Sequence, residues 1–329
     1  MKYTLFLLFA VITTLGCKNN TPAISNATTI DTAVVVHAID HSREQFVLDS
    51  TVRQYRTTAQ YFKASVVNPT KIIGVKGTLI NIDPADLETV SGKQLGNHID
   101  IELKELTTSE ELAREGLSTV TNGKFQISGG AYYINMTSGG EQLKCKTGRT
   151  LAVKFRRNVT DEMALFIGQS DSTGQVTWKD GQQAMDTVEM IPDPADQSKK
   201  ETKHTSIGDL YDYVLLSQFG WVNCSGYYSG GVTSLSVDVD KADSVNCINA
   251  YLVFKDINSV LRCNADLSKQ PCSFNNIPIG AKAALVIIAS KNGKTLTSRS
   301  KIVTTEFRKV PVKLKETPDN EVPGMFKLN

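Results

Sequence analysis

The sequence predicts an all-β protein, tandem β-sandwich domains with one short helix, the second sandwich immunoglobulin-like or transthyretin-like. Three observations carry this. Short β-branched and aromatic runs recur with turn residues between them over most of the 329 residues. Ile99, Ile101 and Leu103 alternate with Asp100, Glu102 and Lys104, the period of a half-buried strand. Two Asn-Gly pairs, Asn122-Gly123 and Asn292-Gly293, sit between such runs as hairpin turns. The length suits two domains, each able to bury its own core.

Residues 1–16 have the order of an export signal. Lys2 precedes the apolar run from Leu5 to Ile12, and small or polar residues lead to Leu15, Gly16 and Cys17. The run is too short to span a bilayer. Gly16-Cys17 resembles the bacterial lipobox, with Thr14 where leucine is usual, a departure seen in Bacteroidetes lipoproteins. That resemblance implies cleavage before Cys17, a diacylglycerol thioether on its sulfur and an acylated amino group, so the lipid bilayer is a partner through Cys17. Ordinary soluble secretion is the alternative. Residues 17–32 are polar and poor in large apolar groups, which reads as a flexible tether. Lys18, Asn19 and Asn20 lack the acidic cluster common on surface-exposed Bacteroidetes lipoproteins, which favours an outer-membrane anchor facing the periplasm.

Residues 33–188 read as the N-terminal sandwich. VVVHAI (34–39) and QFVLDS (45–50) are expected as edge strands, as is part of 54–67. Residues 70–87 give two β-branched runs separated by Lys76 and Gly77, and Pro84 stops the second. Thr108 with Glu111 forms a capping box, Leu112 gives an apolar contact, and Gly116 is placed to end the helix. Strand-like runs follow to a hairpin turning at 172–174. Residues 189–208, polar with two prolines and a charge run, are the expected linker. The C-terminal sandwich is expected over 209–315, and 316–329 as a tail without structure.

KGTLINIDPADL (76–87), the strand HIDIELKEL, the helix ending at Gly116 and FQISGGAYYINM resemble together a module of uncharacterised Bacteroidetes envelope lipoproteins, a sandwich distantly like ZU5 domains. FGWVNCSGYY (219–228) is similar to the F/L-G-W-I-N-C-D-R-F stretch of the same proteins, with Ser225, Gly226 and Tyr227 replacing Asp-Arg-Phe. The resemblance implies architecture and an envelope location, and brings no established catalytic activity.

Chemistry is mostly excluded. Thirty-six Lys plus Arg against thirty-four Asp plus Glu leave a net charge of +2 without a basic block, so nucleic acid is set aside. No phosphate-cradling glycine motif occurs, and no cofactor is expected. Of the four histidines only His37 and His41 are close, and neither completes a zinc signature. Asp238, Asp240 and Asp243 lack the glycine and distal glutamate of a calcium loop and read as a solvated strand end.

Five cysteines follow Cys17 in a chain expected to meet an oxidising compartment. Cys263 with Cys272 across a short hairpin, and Cys224 with Cys247 between neighbouring strands, are the expected disulfides; buried reduced cysteines are the alternative. Trp221, Tyr227 and Tyr228 are candidate binding residues, able to stack on a sugar ring or a protein partner; a core role for Trp221 is the alternative. Tyr132 and Tyr133 are strand neighbours, so one must face the other way. Asp-Ser/Thr-x tripeptides resembling the Bacteroidetes O-glycosylation motif make Thr32, Ser50, Ser172, Thr187 and Ser244 candidate acceptors. The expectation is a non-enzymatic, membrane-anchored envelope lipoprotein that is structural or binds an envelope protein; a glycan-binding surface lipoprotein is the alternative.

Overall fold

The structure is a computed structural model that describes residues 41–157, 162–172, 174–184, 210–211, 213–268, 270–305 and 307–328. Cys17, Thr32, Thr187, His37, His204, the signal, the tether and the expected linker lie outside the described residues. After helix α1 (His41–Arg53) come β1 (Gln60–Ala64), β2 (Thr70–Ile73), β3 (Leu79–Ile82), β4 (Leu87–Thr89) and β5 (Ile99–Leu106). Helix α2 (Ser109–Glu115) is followed by β6 (Val120–Thr121), β7 (Lys124–Ser138), β8 (Glu141–Cys145), β9 (Leu151–Lys154), β10 (Ala164–Ser170) and β11 (Val176–Ala184). Next are β12 (Val214–Leu216), β13 (Gly220–Tyr227), β14 (Val232–Val239), β15 (Cys247–Phe254), β16 (Val260–Asp266) and β17 (Cys272–Pro278). The last strands are β18 (Lys282–Lys291), β19 (Lys294–Val303), β20 (Arg308–Val312) and β21 (Lys315–Glu316).

The protein is all-β, and among the described residues its strands form four sheets packed in pairs. In the first sandwich the path β1-β5-β7-β13-β10-β11 faces the sheet β12-β9-β3-β2. Ile99, Ile101, Leu103, Tyr132, Ile134, Val153, Val222 and Cys224 fill the space between them. In the second, β17-β14-β20 faces β16-β15-β18-β19-β21 over Leu252, Phe254, Leu285, Ile287 and Phe274. A third apolar layer joins the outer faces of the two larger sheets. Leu106, Phe166 and Trp178 of the first meet Tyr251, Val253, Val286 and Ile288 of the second, with Leu48, Val52, Leu112, Val322 and Phe326 from the helical segments.

Local signals in the sequence act as expected. Alternation along β5 buries Ile99, Ile101 and Leu103. Both halves of the Thr108–Glu111 capping box form, and Gly116 ends α2 at φ 80°. Asn122-Gly123 and Asn292-Gly293 take positive φ, as type I′ turns require.

Tertiary packing overrides three expectations about the elements. QFVLDS is helical, not a strand, because Leu48 and Val52 stand four apart and bury one stripe in the third layer. The C-terminal sandwich does not begin at 209. β12 pairs with β9, and β13 lies between β7 and β10, where it satisfies the inner edges of both and adds Val222 and Cys224 to the first core. The segment 316–329 is not structureless over its described part. A 3-10 turn at Asp319–Phe326 buries Val322 and Phe326, and Arg299 donates to the carbonyls of Met325 and Lys327.

Neither expected disulfide forms: Cys145, Cys224, Cys247, Cys263 and Cys272 are unbridged. With β13 in the first sandwich, Cys224 and Cys247 lie in different sandwiches. Cys263 and Cys272 are not on hairpin partners, because β16 and β17 belong to opposing sheets. The two thiols still act on each other, Cys272 lowering the pKa of the Cys263 thiol and Cys263 raising that of Cys272.

Candidate functional site

The strand period sends Tyr132 and Tyr133 to opposite faces of β7. Tyr132 is fully buried in the first core, its ring 4.3 Å from that of Phe155. Tyr133 points outward. Antiparallel register then builds a row across five strands: Lys104 of β5 opposite Tyr133, Tyr133 opposite Trp221 of β13, Trp221 beside Gly168 of β10, and Gly168 opposite Trp178 of β11. The Tyr133 and Trp221 rings lie 5.2 Å apart, and both are half-buried.

Gly168 makes the row possible. A Cβ there would stand 2.5 Å from the Trp221 Cβ and 3.0 Å from Trp178 Cζ3, so any larger residue would push the indoles aside. Trp178 is a core residue whose Nε1 donates to the Ser118 carbonyl at 2.7 Å. Trp221 rests on the same apolar layer with part of its ring uncovered.

Beside this row runs a second one, Tyr61 of β1 opposite Glu102 of β5 and Glu102 opposite Asn135 of β7. Tyr61 is 74% exposed. With strands about 4.8 Å apart and a two-residue offset along them, Tyr61 and Tyr133 stand roughly 12 Å from each other across β5. Asn135 Oδ1 accepts from Gln142 Nε2 at 2.7 Å. Burial first, and then the Glu102 carboxylate, raise the Tyr133 phenol above its ordinary range, so it stays a neutral donor. The strip therefore offers apolar ring faces beside a carboxylate, an amide and the Lys104 ammonium. Such a surface stacks on a flat partner and hydrogen-bonds its edges.

Of the three aromatics expected to act together, only Trp221 is here. Tyr227 lies at the far end of β13, 43% exposed, edge-on to Phe166 at 5.6 Å and under Lys124 at 5.5 Å. Tyr228 packs edge-on against Phe125 at 5.9 Å, beside the second core. Cross-strand register brings Tyr133, Tyr61 and Glu102 to Trp221. The outward alternation of β1 and β5 was the signal for the last two, but nothing local pairs those strands with β13.

The candidate acceptors Ser50, Ser172 and Ser244 are all exposed. Ser50 donates to the Phe46 carbonyl on α1 at 2.8 Å, and Ser244 has φ 50° in a turn. Asp243 accepts from the Leu314 amide at 2.8 Å, which ties that turn to the segment after β20. His98 Nε2 lies 3.1 Å from Asp100 and 3.0 Å from Lys63 Nζ at the margin of the strip. Among the described residues no three His, Cys, Asp or Glu side chains gather as a metal-binding group, and no described helix is long and apolar enough to cross a membrane. No protein-family model matches this chain, and no curated protein matches it in sequence.

Proposed function

We propose that the chain is a non-enzymatic lipoprotein of the bacterial envelope, held on the periplasmic face of the outer membrane by an acylated Cys17, and that it binds an envelope partner. The outer face of its first sheet is the binding surface. The carrying observation is the half-buried Tyr133–Trp221 pair, left uncovered beside the edge strand that bears Tyr61. Palmitate labelling lost on Cys17→Ala tests the anchor. A photo-crosslinking residue in place of Tyr61 tests the surface. One discrete envelope product, abolished by Trp221→Ala and absent when the crosslinker replaces the exposed Val90, supports the reading; identical products from both positions overturn it.

A second reading, glycan binding at the same strip, is favoured by the ring pair lying beside Glu102 and Asn135, groups able to bond sugar hydroxyls. Affinity electrophoresis on a polysaccharide panel distinguishes the two. Retardation that disappears with Trp221→Ala and Tyr133→Ala selects the glycan. The exposure of Ser50, Ser172 and Ser244 suits their role as O-glycosylation acceptors, which glycopeptide mass spectrometry tests.

A further inference from the structure

The third apolar layer does not cover the whole outer face of the five-stranded sheet. Beyond Leu328 that face opens into a cavity of about 230 Å³ lined by residues including Lys255, Lys282, Ala284, Lys301, Val303 and Leu328. Register sets them side by side. Lys282 pairs with Val303 and Ala284 with Lys301 across β18 and β19, and the Lys255 amide donates to the Lys282 carbonyl at 2.8 Å. Ala284 makes a small apolar floor, Val303 and Leu328 make walls, and three ammonium groups stand round the rim. Arg299, also in the lining, is occupied with the carbonyls of the 3-10 segment.

The charge is only partly compensated, and the Glu110 carboxylate beside the pocket is taken by the Leu328 amide at 2.7 Å. Lys282 meets Asp256 at 3.8 Å with both side chains more than half exposed, an ion pair worth little in water. Lys255 and Lys301 have no ion-pair partner among the described residues. Lys282 and Lys301 are diagonal neighbours, each opposite an apolar residue, so neither has an opposite charge as its cross-strand partner. An apolar floor under a cationic rim complements a molecule with an apolar body and an anionic head. Size narrows the choice: a cavity of about 150 Å³ holds benzene, so this one suits one ring or a short chain and is too small for a two-chain lipid.

We propose that this pocket binds a small free amphiphilic anion, an alkyl or aryl carboxylate or phosphate monoester. Its body lies on Ala284, Val303 and Leu328, and its head lies between Lys255, Lys282 and Lys301. The site is on the second sandwich and does not depend on the aromatic strip.

Calorimetric titration of the purified Cys17→Ala chain, which keeps acyl chains and detergent out of the cell, tests this with octanoate, octanol and acetate. Octanoate is expected to saturate one site at least tenfold more tightly than octanol or acetate. The Lys282→Gln/Lys301→Gln variant, altered only at exposed positions, should bind octanoate about tenfold more weakly, and so should Val303→Asp, with thermal melting unchanged. Absence of saturation, equal binding of octanol, or full affinity in both variants overturns the proposal. So does sedimentation with phosphatidylglycerol vesicles but not phosphatidylcholine vesicles when octanoate fails to bind, since that assigns the lysines to a bilayer surface.

Discussion

Asp49 of α1 and Arg262 of β16, 213 residues apart in the chain, meet at 3.2 Å between a carboxylate oxygen and Nη2, with the arginine side chain only 10% exposed. Nη1 of the same guanidinium donates to the Gly116 carbonyl at the end of α2 at 3.2 Å, and the group lies 5.8 Å from the Tyr251 ring centroid. One side chain thus ties both helices to the second sandwich. Truncation would leave a helix-terminal carbonyl without this donor and Asp49 without its charge partner, held only by the amides of Gln45 and Asn249, and removal of one member of such a pair costs about 3 kcal/mol. Arg262→Ala should lower urea-unfolding stability by that order; a loss under 1 kcal/mol would show that the contact is not a tie.

Glu105 is buried and accepts from the Thr78 amide at 3.0 Å, the Lys76 amide at 2.9 Å and Gln60 Nε2 at 2.8 Å. It shapes the turn between β2 and β3 from the neighbouring sheet. Gly74 leaves it room, since a Cβ there would come within 2.7 Å of the carboxylate. Glu105→Gln keeps the shape but points amide hydrogens at amide donors. An unsatisfied buried group of this kind costs about 1–3 kcal/mol. Equilibrium unfolding of Glu105→Gln and Gly74→Ala should give destabilisation in both.

Stability should carry a pH signature from the α2 cap. Burial alone would raise Glu111, but Lys76, the Thr107 amide and the Thr108 side chain outweigh it and hold the carboxyl below its ordinary 4.5. A depressed folded-state value means that the contribution is complete above the unfolded value and is lost as pH falls through the folded one. Glu111→Gln should cost about 1 kcal/mol at pH 7. The gap from the parent protein should narrow as pH drops below 4.5. A constant gap down to the acid transition would contradict the assignment.

Thiol reactivity should single out Cys263. The neighbouring Cys272 thiol outweighs burial and lowers Cys263 from an ordinary 9.0 to about 7, while burial raises Cys145 and Cys224. Iodoacetamide should label Cys263 first, with a rate rising through a midpoint near pH 7. Cys272→Ala should move that midpoint upward. Equal labelling of Cys263 and Cys224 in the folded protein would refute the contact.

Gly168→Ala offers a test of the aromatic strip that replaces none of its binding side chains. The added methyl would collide with the Trp221 Cβ, so Trp221, which lies between Gly168 and Tyr133, must leave its present packing against Tyr133. Crosslinking or glycan retardation through the strip should fall as it does for Trp221→Ala. Binding of octanoate at the second sandwich should not change.

Short-range chemistry was legible in the sequence because its causes span a few residues. Alternation in β5, the reciprocal cap of Thr108 and Glu111, and the left-handed turns at Asn122-Gly123 and Asn292-Gly293 are decided by backbone sterics and neighbouring donors. The all-β class follows from many such segments. What joins them does not. Whether β13 would return to the first sandwich depended on two unpaired strand edges far back in the chain. Whether 45–50 would coil and 319–326 would dock depended on an apolar layer that exists only once both large sheets are in place. The same assembly separated Cys224 from Cys247, split Tyr227 and Tyr228 from Trp221, and set Tyr133 and Tyr61 beside it. Burial of apolar surface between distant segments decided these, because it is non-directional and is won by whichever faces the completed topology brings together.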